Sequence, residues 1–142
     1  MATTRTAKTH WEGPLLEGGS GRVSLESSGL GTFDVSWPRR TEAPEGNTSP
    51  EELIAAAHSS CFSMALSNIL AKGGTPPQAL DVRADVSFQP GEGITGSHLT
   101  VVGRVEGLDE DGFKEAAEQA KTGCPVSQAL TGTTITLEAS LA

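Results

Sequence analysis

Two residues in this chain of 142 can act as soft nucleophiles, Cys61 and Cys124, and there is no third cysteine. Cys61 lies in EELIAAAHSSCFSMAL and Cys124 in AKTGCPVSQAL. Their wide separation rules out a local metal clip of the CxxC kind. The pair can act as a redox couple if the fold brings the two sulfurs together. Each thiol also has a plainer role as a small buried hydrophobe. Cys61 sits in the middle of a predicted helix. Burial among apolar side chains would raise its pKa, so reactivity requires a nearby cation. Cys124 stands just before a helix led by Pro125, where free backbone N–H groups favour a thiolate. Together the two read as a peroxidatic and resolving pair.

The candidate cations are Arg39 and Arg40, with Glu51 or Glu52 as the carboxylate that a guanidinium could hold in a fork. Both acids also suit the first turn of a helix, where Glu52 completes a capping box begun by Ser49. On one straight helix Glu51 and Cys61 lie roughly 15 Å apart along the axis. They can share a site only if two copies of the helix pack antiparallel across a two-fold axis. His58 stands one turn before Cys61 on the same face. A packing or surface role for it outweighs that of a base. His10 and His98 lack ligand spacing, and a zinc site built on Cys61, Cys124 and His58 has no fourth ligand. No phosphate loop, nucleophile elbow or HExxH motif is present.

The elements that must position these groups follow an α+β pattern in one domain spanning residues 1–142. THWEGPLL, GRVSLESS and GTFDVSWP read as short strands separated by glycine and serine turns. Residues 39–49 read as a loop. Ser49 as N-cap, Pro50 at the first helical position and Gly73–Gly74 as the stop define a long helix. Leu53, Ile54, Ala57, Cys61, Met64, Ala65 and Ile69 leave it apolar or small on nearly every face. One small domain cannot cover such a helix, so a homodimer is expected. Residues 79–88 and 98–106 alternate as strands joined by a PGEGITGS loop. A second helix starts near Asp109 and ends at Gly123, a short third helix follows Cys124, and TTITLEASL forms a last strand.

The net charge of −8 argues against a nucleic-acid partner. No apolar run reaches the length of a membrane span, so no membrane partner is expected. The N-terminus lacks the apolar core of a secretory signal. The expected setting is cytoplasmic, where a lasting structural disulfide is rare and a thiol pair is more often chemical.

TSPEELIAAAHSSCFSMALSNIL together with AKTGCPVSQAL resembles the OsmC/Ohr family of hydroperoxide-reducing proteins. The HWEG opening, the arginine-rich loop and the SLESSGLG turn resemble its OsmC branch, and the likeness covers essentially the whole chain. The resemblance implies an intertwined α+β homodimer, with antiparallel sheets wrapped around central buried helices. It implies Cys61 as peroxidatic thiol, Cys124 as resolving thiol, and Arg40 and Glu51 as the activating pair, with Arg39 the weaker alternative. The implied activity is thiol-dependent reduction of organic hydroperoxides, with hydrogen peroxide a further candidate substrate, in oxidative or osmotic stress defence. The implied reductant is a dithiol, on a lipoyl protein, with no flavin, metal or other cofactor in the chain. Phe62, Met64 and Leu66 are candidates for an apolar pocket beside Cys61. The alternative reading is a non-catalytic dimer that senses redox state or binds a ligand with the same cysteines.

Overall fold

The computed structural model describes residues 1–142, and they divide into two compact units, Met1–Leu53 and Ile54–Ala142. The first unit holds a three-stranded antiparallel sheet, β1 (Lys8–Glu12), β2 (Ser20–Ser24) and β3 (Thr32–Val35), in that order. Trp11 faces Gly21 across β1 and β2, and a Cβ on Gly21 would lie 2.8 Å from the Trp11 ring. Glycine at 21 therefore lets the indole lie flat on the neighbouring strand.

After β3 the chain forms a short helix, α1 (Trp37–Thr41), where the sequence reading has a loop from residue 39. Pro38 presets the first turn, and five residues are too few to show a hydrophobic period. α2 (Pro50–Lys72) begins in the first unit and runs through the second. Its start is capped: the Glu52 N–H donates to Ser49 Oγ at 3.1 Å. Only half of the capping box forms, because the Glu52 carboxylate accepts from Thr48 Oγ1 at 2.6 Å instead. At the other end Gly74 adopts φ +88° and the Thr75 N–H reaches back to the Leu70 carbonyl, closing a Schellman turn.

The second unit contains β4 (Ala79–Gln89), β5 (Gly93–Arg104) and β6 (Thr134–Leu141), in a sheet of order β4-β5-β6. β4 and β5 are antiparallel, but β5 and β6 are parallel. This corrects the expectation of purely antiparallel sheets. Two helices, α3 (Glu110–Gly123) and α4 (Pro125–Ala129), intervene between β5 and β6, and such a crossover returns the chain in the same direction. The expected PGEGITGS loop is also shorter than predicted. β5 starts at Gly93, and Ile94 pairs with Phe88 past a bulge at Ser87. Asp109 caps α3 as expected, accepting from the Gly112 N–H at 2.8 Å.

One face of the second sheet carries the core. Leu99 and Val101 of β5 meet Phe113, Ala117 and Ala120 of α3 and the Phe62–Leu66–Leu70 stripe of α2. A Cβ on Gly103 would lie 2.5 Å from the Phe113 ring, so that close approach needs glycine. The stripe on α2 begins one turn earlier with His58, so its buried positions recur every four residues. Of the three candidates for an apolar pocket, Phe62 and Leu66 lie in the core and Met64 is 72 % exposed.

α2 is long and apolar enough, by length and composition, to cross a bilayer, contrary to the sequence expectation. Its interior polar residues (serines, His58 and Asn68) are uncharged, so they interrupt apolar runs without making the segment ionic. Its buried stripe packs against β5 and α3, as a core helix does.

Candidate functional site

The thiol pair lies wholly within the second unit. Cys61 comes from the middle of α2 and Cys124 from the junction of α3 and α4. Both are free thiols, and Cys61 packs against the buried cluster that contains Cys124. Cys124 is fully buried and Cys61 is partly exposed. Two backbone bonds meet at the junction: the Cys124 N–H closes α3 on the Ala120 carbonyl, and its own carbonyl accepts from the Gln128 N–H to open α4.

Burial pushes the Cys61 thiol above its ordinary pKa, and the hydrogen bond with Cys124 adds to the rise. The Val126 backbone N–H, in the first turn of α4, opposes it by donating toward the Cys61 sulfur. The sequence reading assigned the free donors of this helix start to Cys124. One of them instead serves the other thiol.

The charged pair lies wholly within the first unit. Arg40, on α1, holds Glu51, at the start of α2, in a fork. Nε donates to both carboxylate oxygens at 3.0 and 3.2 Å, and Nη2 donates to Oε1 at 2.7 Å. Glu51 is 7 % exposed, so the guanidinium takes the place of water around its carboxylate. The Arg40 guanidinium carbon also lies 6.0 Å from the centre of the Trp37 ring, within cation–π range. Arg39 turns elsewhere, to Glu45 at 2.7 Å. Of the two candidate arginines, Arg40 is the one paired with Glu51.

Arg40 also forms part of the wall of an apolar cavity of about 280 Å³, lined by Trp11, Leu15, Val23, Val35 and Trp37. Sequence reasoning missed this cavity. The signal was there, since both tryptophans of the chain contribute to it.

His58 takes the packing role. It is fully buried, and burial lowers its pKa. Nδ1 lies 2.7 Å from Ser97 Oγ of β5, and Nε2 lies 2.8 Å from Ser127 Oγ of α4. A neutral imidazole satisfies both, donating to one hydroxyl and accepting from the other. Neither Ser97 nor Ser127 stood out in the sequence. His98 borders Glu138 on the sheet, and His10 borders Glu12.

The OsmC-like protein model matches residues 43–138, a span that takes in both cysteines and Glu51. The chain belongs to the OsmC-like family. It is 42% identical over 133 residues to Peroxiredoxin OsmC of Escherichia coli, covering 92% of each chain. It is 28% identical to Organic hydroperoxide resistance protein OhrB of Bacillus subtilis, over 81% of this chain and 85% of that one. Among solved structures, an organic hydroperoxide resistance protein OsmC from Legionella pneumophila superposes with a TM-score of 0.76 at 26% identity. That match covers 99% of this chain and 98% of the other. The fold of this OsmC-like protein is α+β, as in these relatives.

Proposed function

We propose that this OsmC-like protein, a peroxidase-type oxidoreductase, reduces organic hydroperoxides in stress defence. The observation that carries this reading is the proximity of two residues remote in sequence: Cys61 packs against the buried cluster that holds Cys124, and Cys124 is near enough to raise the Cys61 pKa. The names of its relatives, a peroxiredoxin and an organic hydroperoxide resistance protein, point to the same class.

In the proposed cycle the Cys61 thiolate attacks the distal oxygen of ROOH. The O–O bond breaks, its electron pair leaves on RO⁻, and a proton converts that to the alcohol. Cys61 is now a sulfenic acid. The Cys124 sulfur attacks it, an S–S bond forms, and the hydroxyl leaves as water. A dithiol, most simply the lipoyl group of a protein, reduces the disulfide by two exchange steps and is itself oxidised to a disulfide. The cycle needs no bound cofactor.

Arg40, held by Glu51, is the proposed activating cation. Within its own unit Cys61 has a raised pKa, so a guanidinium offered from outside that unit is what the chemistry requires. Two copies with antiparallel α2 helices supply it, Glu51 and Arg40 of one chain serving Cys61 of the other. The surface of α2 supports such a dimer. Ser60 and Ser63 donate to carbonyls of their own helix at 2.8 and 2.7 Å, which leaves an outward face of small and apolar groups with little need of water. The intertwined homodimer, the cytoplasmic setting and the absence of nucleic-acid and membrane partners belong to the same proposal.

The test is steady-state consumption of tert-butyl hydroperoxide with a dithiol. Repeated turnover that Cys61→Ser abolishes is expected. A single oxidation per chain followed by arrest contradicts the enzyme reading and indicates a redox sensor.

A further inference from the structure

His58 and Ser127 form a second rung between the helices that carry the two thiols. His58 precedes Cys61 by three residues on α2, and Ser127 follows Cys124 by three residues in α4. Three residues is close to one helical turn. The His58–Ser127 hydrogen bond, at 2.8 Å, therefore lies about one turn from the Cys61–Cys124 contact and joins the same two elements. The far side of the imidazole is fixed to β5 through Ser97. His58 and Cys124 are fully buried, and Ser127 is 3 % exposed, so water cannot easily replace any of these bonds. α4 has only five residues and follows an abrupt junction at Cys124. A segment that short does not hold its position by its own helical hydrogen bonds.

We infer that the His58–Ser127 bond is a positioning device that holds the first turn of α4 on α2, keeping the Cys124 sulfur within bonding reach of Cys61. His58 acts through Cys124 and has no direct part in the chemistry, because both ring nitrogens are occupied by serine hydroxyls. The rung matters most after Cys61 has been oxidised. Cys124 must then hold its place beside the sulfenic sulfur that it attacks, and the His58–Ser127 bond is one of the contacts that keep it there. The inference deepens the proposed cycle and rests on it only for that last step.

The test uses the full chain and measures the pair without peroxide. The reduced protein is equilibrated with oxidised and reduced glutathione. Cys61 and Cys124 join as oxidised glutathione is reduced to two thiols, and the equilibrium gives the effective concentration of one cysteine at the other. Ser127→Ala is expected to lower that concentration about tenfold, with the rate of Cys61 alkylation by iodoacetamide unchanged within about twofold. Ser127→Thr, which keeps the hydroxyl, restores it. His58→Gln, which keeps a hydrogen-bonding head, falls between. With one addition of cumene hydroperoxide, Ser127→Ala should accumulate Cys61 sulfinic acid where the unaltered protein forms disulfide.

An unchanged effective concentration in both Ser127→Ala and His58→Gln overturns the inference, even if both variants melt earlier, since that is the mark of a merely structural bond. The outcomes also separate the inference from the proposed function. If the unaltered protein forms the disulfide with glutathione but consumes no peroxide, the enzyme reading fails and the positioning role is still decided by the variants.

Discussion

The two units divide the chemistry between them. The second carries two neighbouring thiols, Cys61 and Cys124, and burial raises the Cys61 pKa. The first carries full charges: Arg40 and Glu51 form a fork of three bonds between 2.7 and 3.2 Å, beside an apolar cavity. Each arrangement is self-consistent and incomplete. A thiol with a raised pKa is a poor nucleophile at neutral pH, and an arginine–glutamate fork has no electrons to give a peroxide. The contrast is what the proposed function addresses by bringing the two kinds of group together through a second copy of the chain.

The largest effect expected is on the soft side. Cys61→Ser should abolish dithiol-dependent consumption of cumene hydroperoxide, and a variant that still turns over would remove the sulfur from the account. On the charged side, Arg40→Ala should lower kcat/KM by roughly 10²-fold, the scale of losing one preorganised charge-stabilising donor. Arg39→Ala, which loses a pair with Glu45 and a long bond to the Ala43 carbonyl, should stay near the parent rate. Equal losses in the two arginine variants would erase the distinction between them.

A pH profile sharpens the same comparison. Burial raises the Cys61 pKa, so without a cation its alkylation by iodoacetamide should climb only above the ordinary thiol range. In the unaltered protein the climb should come at lower pH than in Arg40→Ala. Coincident profiles would mean that Arg40 never reaches the thiol. The smallest effect concerns His58, whose folded pKa is lowered by burial. The unfolded chain then takes up the proton first. Stability from the buried imidazole is complete above the ordinary histidine pKa of 6.5 and declines as pH falls through it toward the lowered folded value. Urea denaturation at several pH values should show that decline, and His58→Gln should flatten it.

The groups legible in the sequence were those with a local signature. Ser49, Pro50 and the Gly73–Gly74 stop delimit α2, and Asp109 marks α3, because caps act over three or four residues. Cys61 and Cys124 stood out by rarity, and family resemblance supplied their pairing. The misses were of two kinds. α1 was read as loop because five residues show no periodicity, although Pro38 was a fair start signal. The partners of His58 come from β5 and α4, and no local pattern records which serine a distant strand will deliver. The parallel pairing of β5 with β6 followed from the intervening α3 and α4, both of which were recognised. The apolar pocket was sought beside Cys61, whereas both tryptophans frame a cavity beside Arg40.

The central claim is that Cys61 and Cys124 form one redox couple. The direct measurement is a count of free thiols, with peptide mass mapping, before and after one equivalent of an organic hydroperoxide. The account predicts that both thiols disappear together and that the peptides bearing Cys61 and Cys124 are recovered joined by a disulfide within one chain. Oxidation confined to Cys61, with Cys124 still titrating as a free thiol, would contradict it.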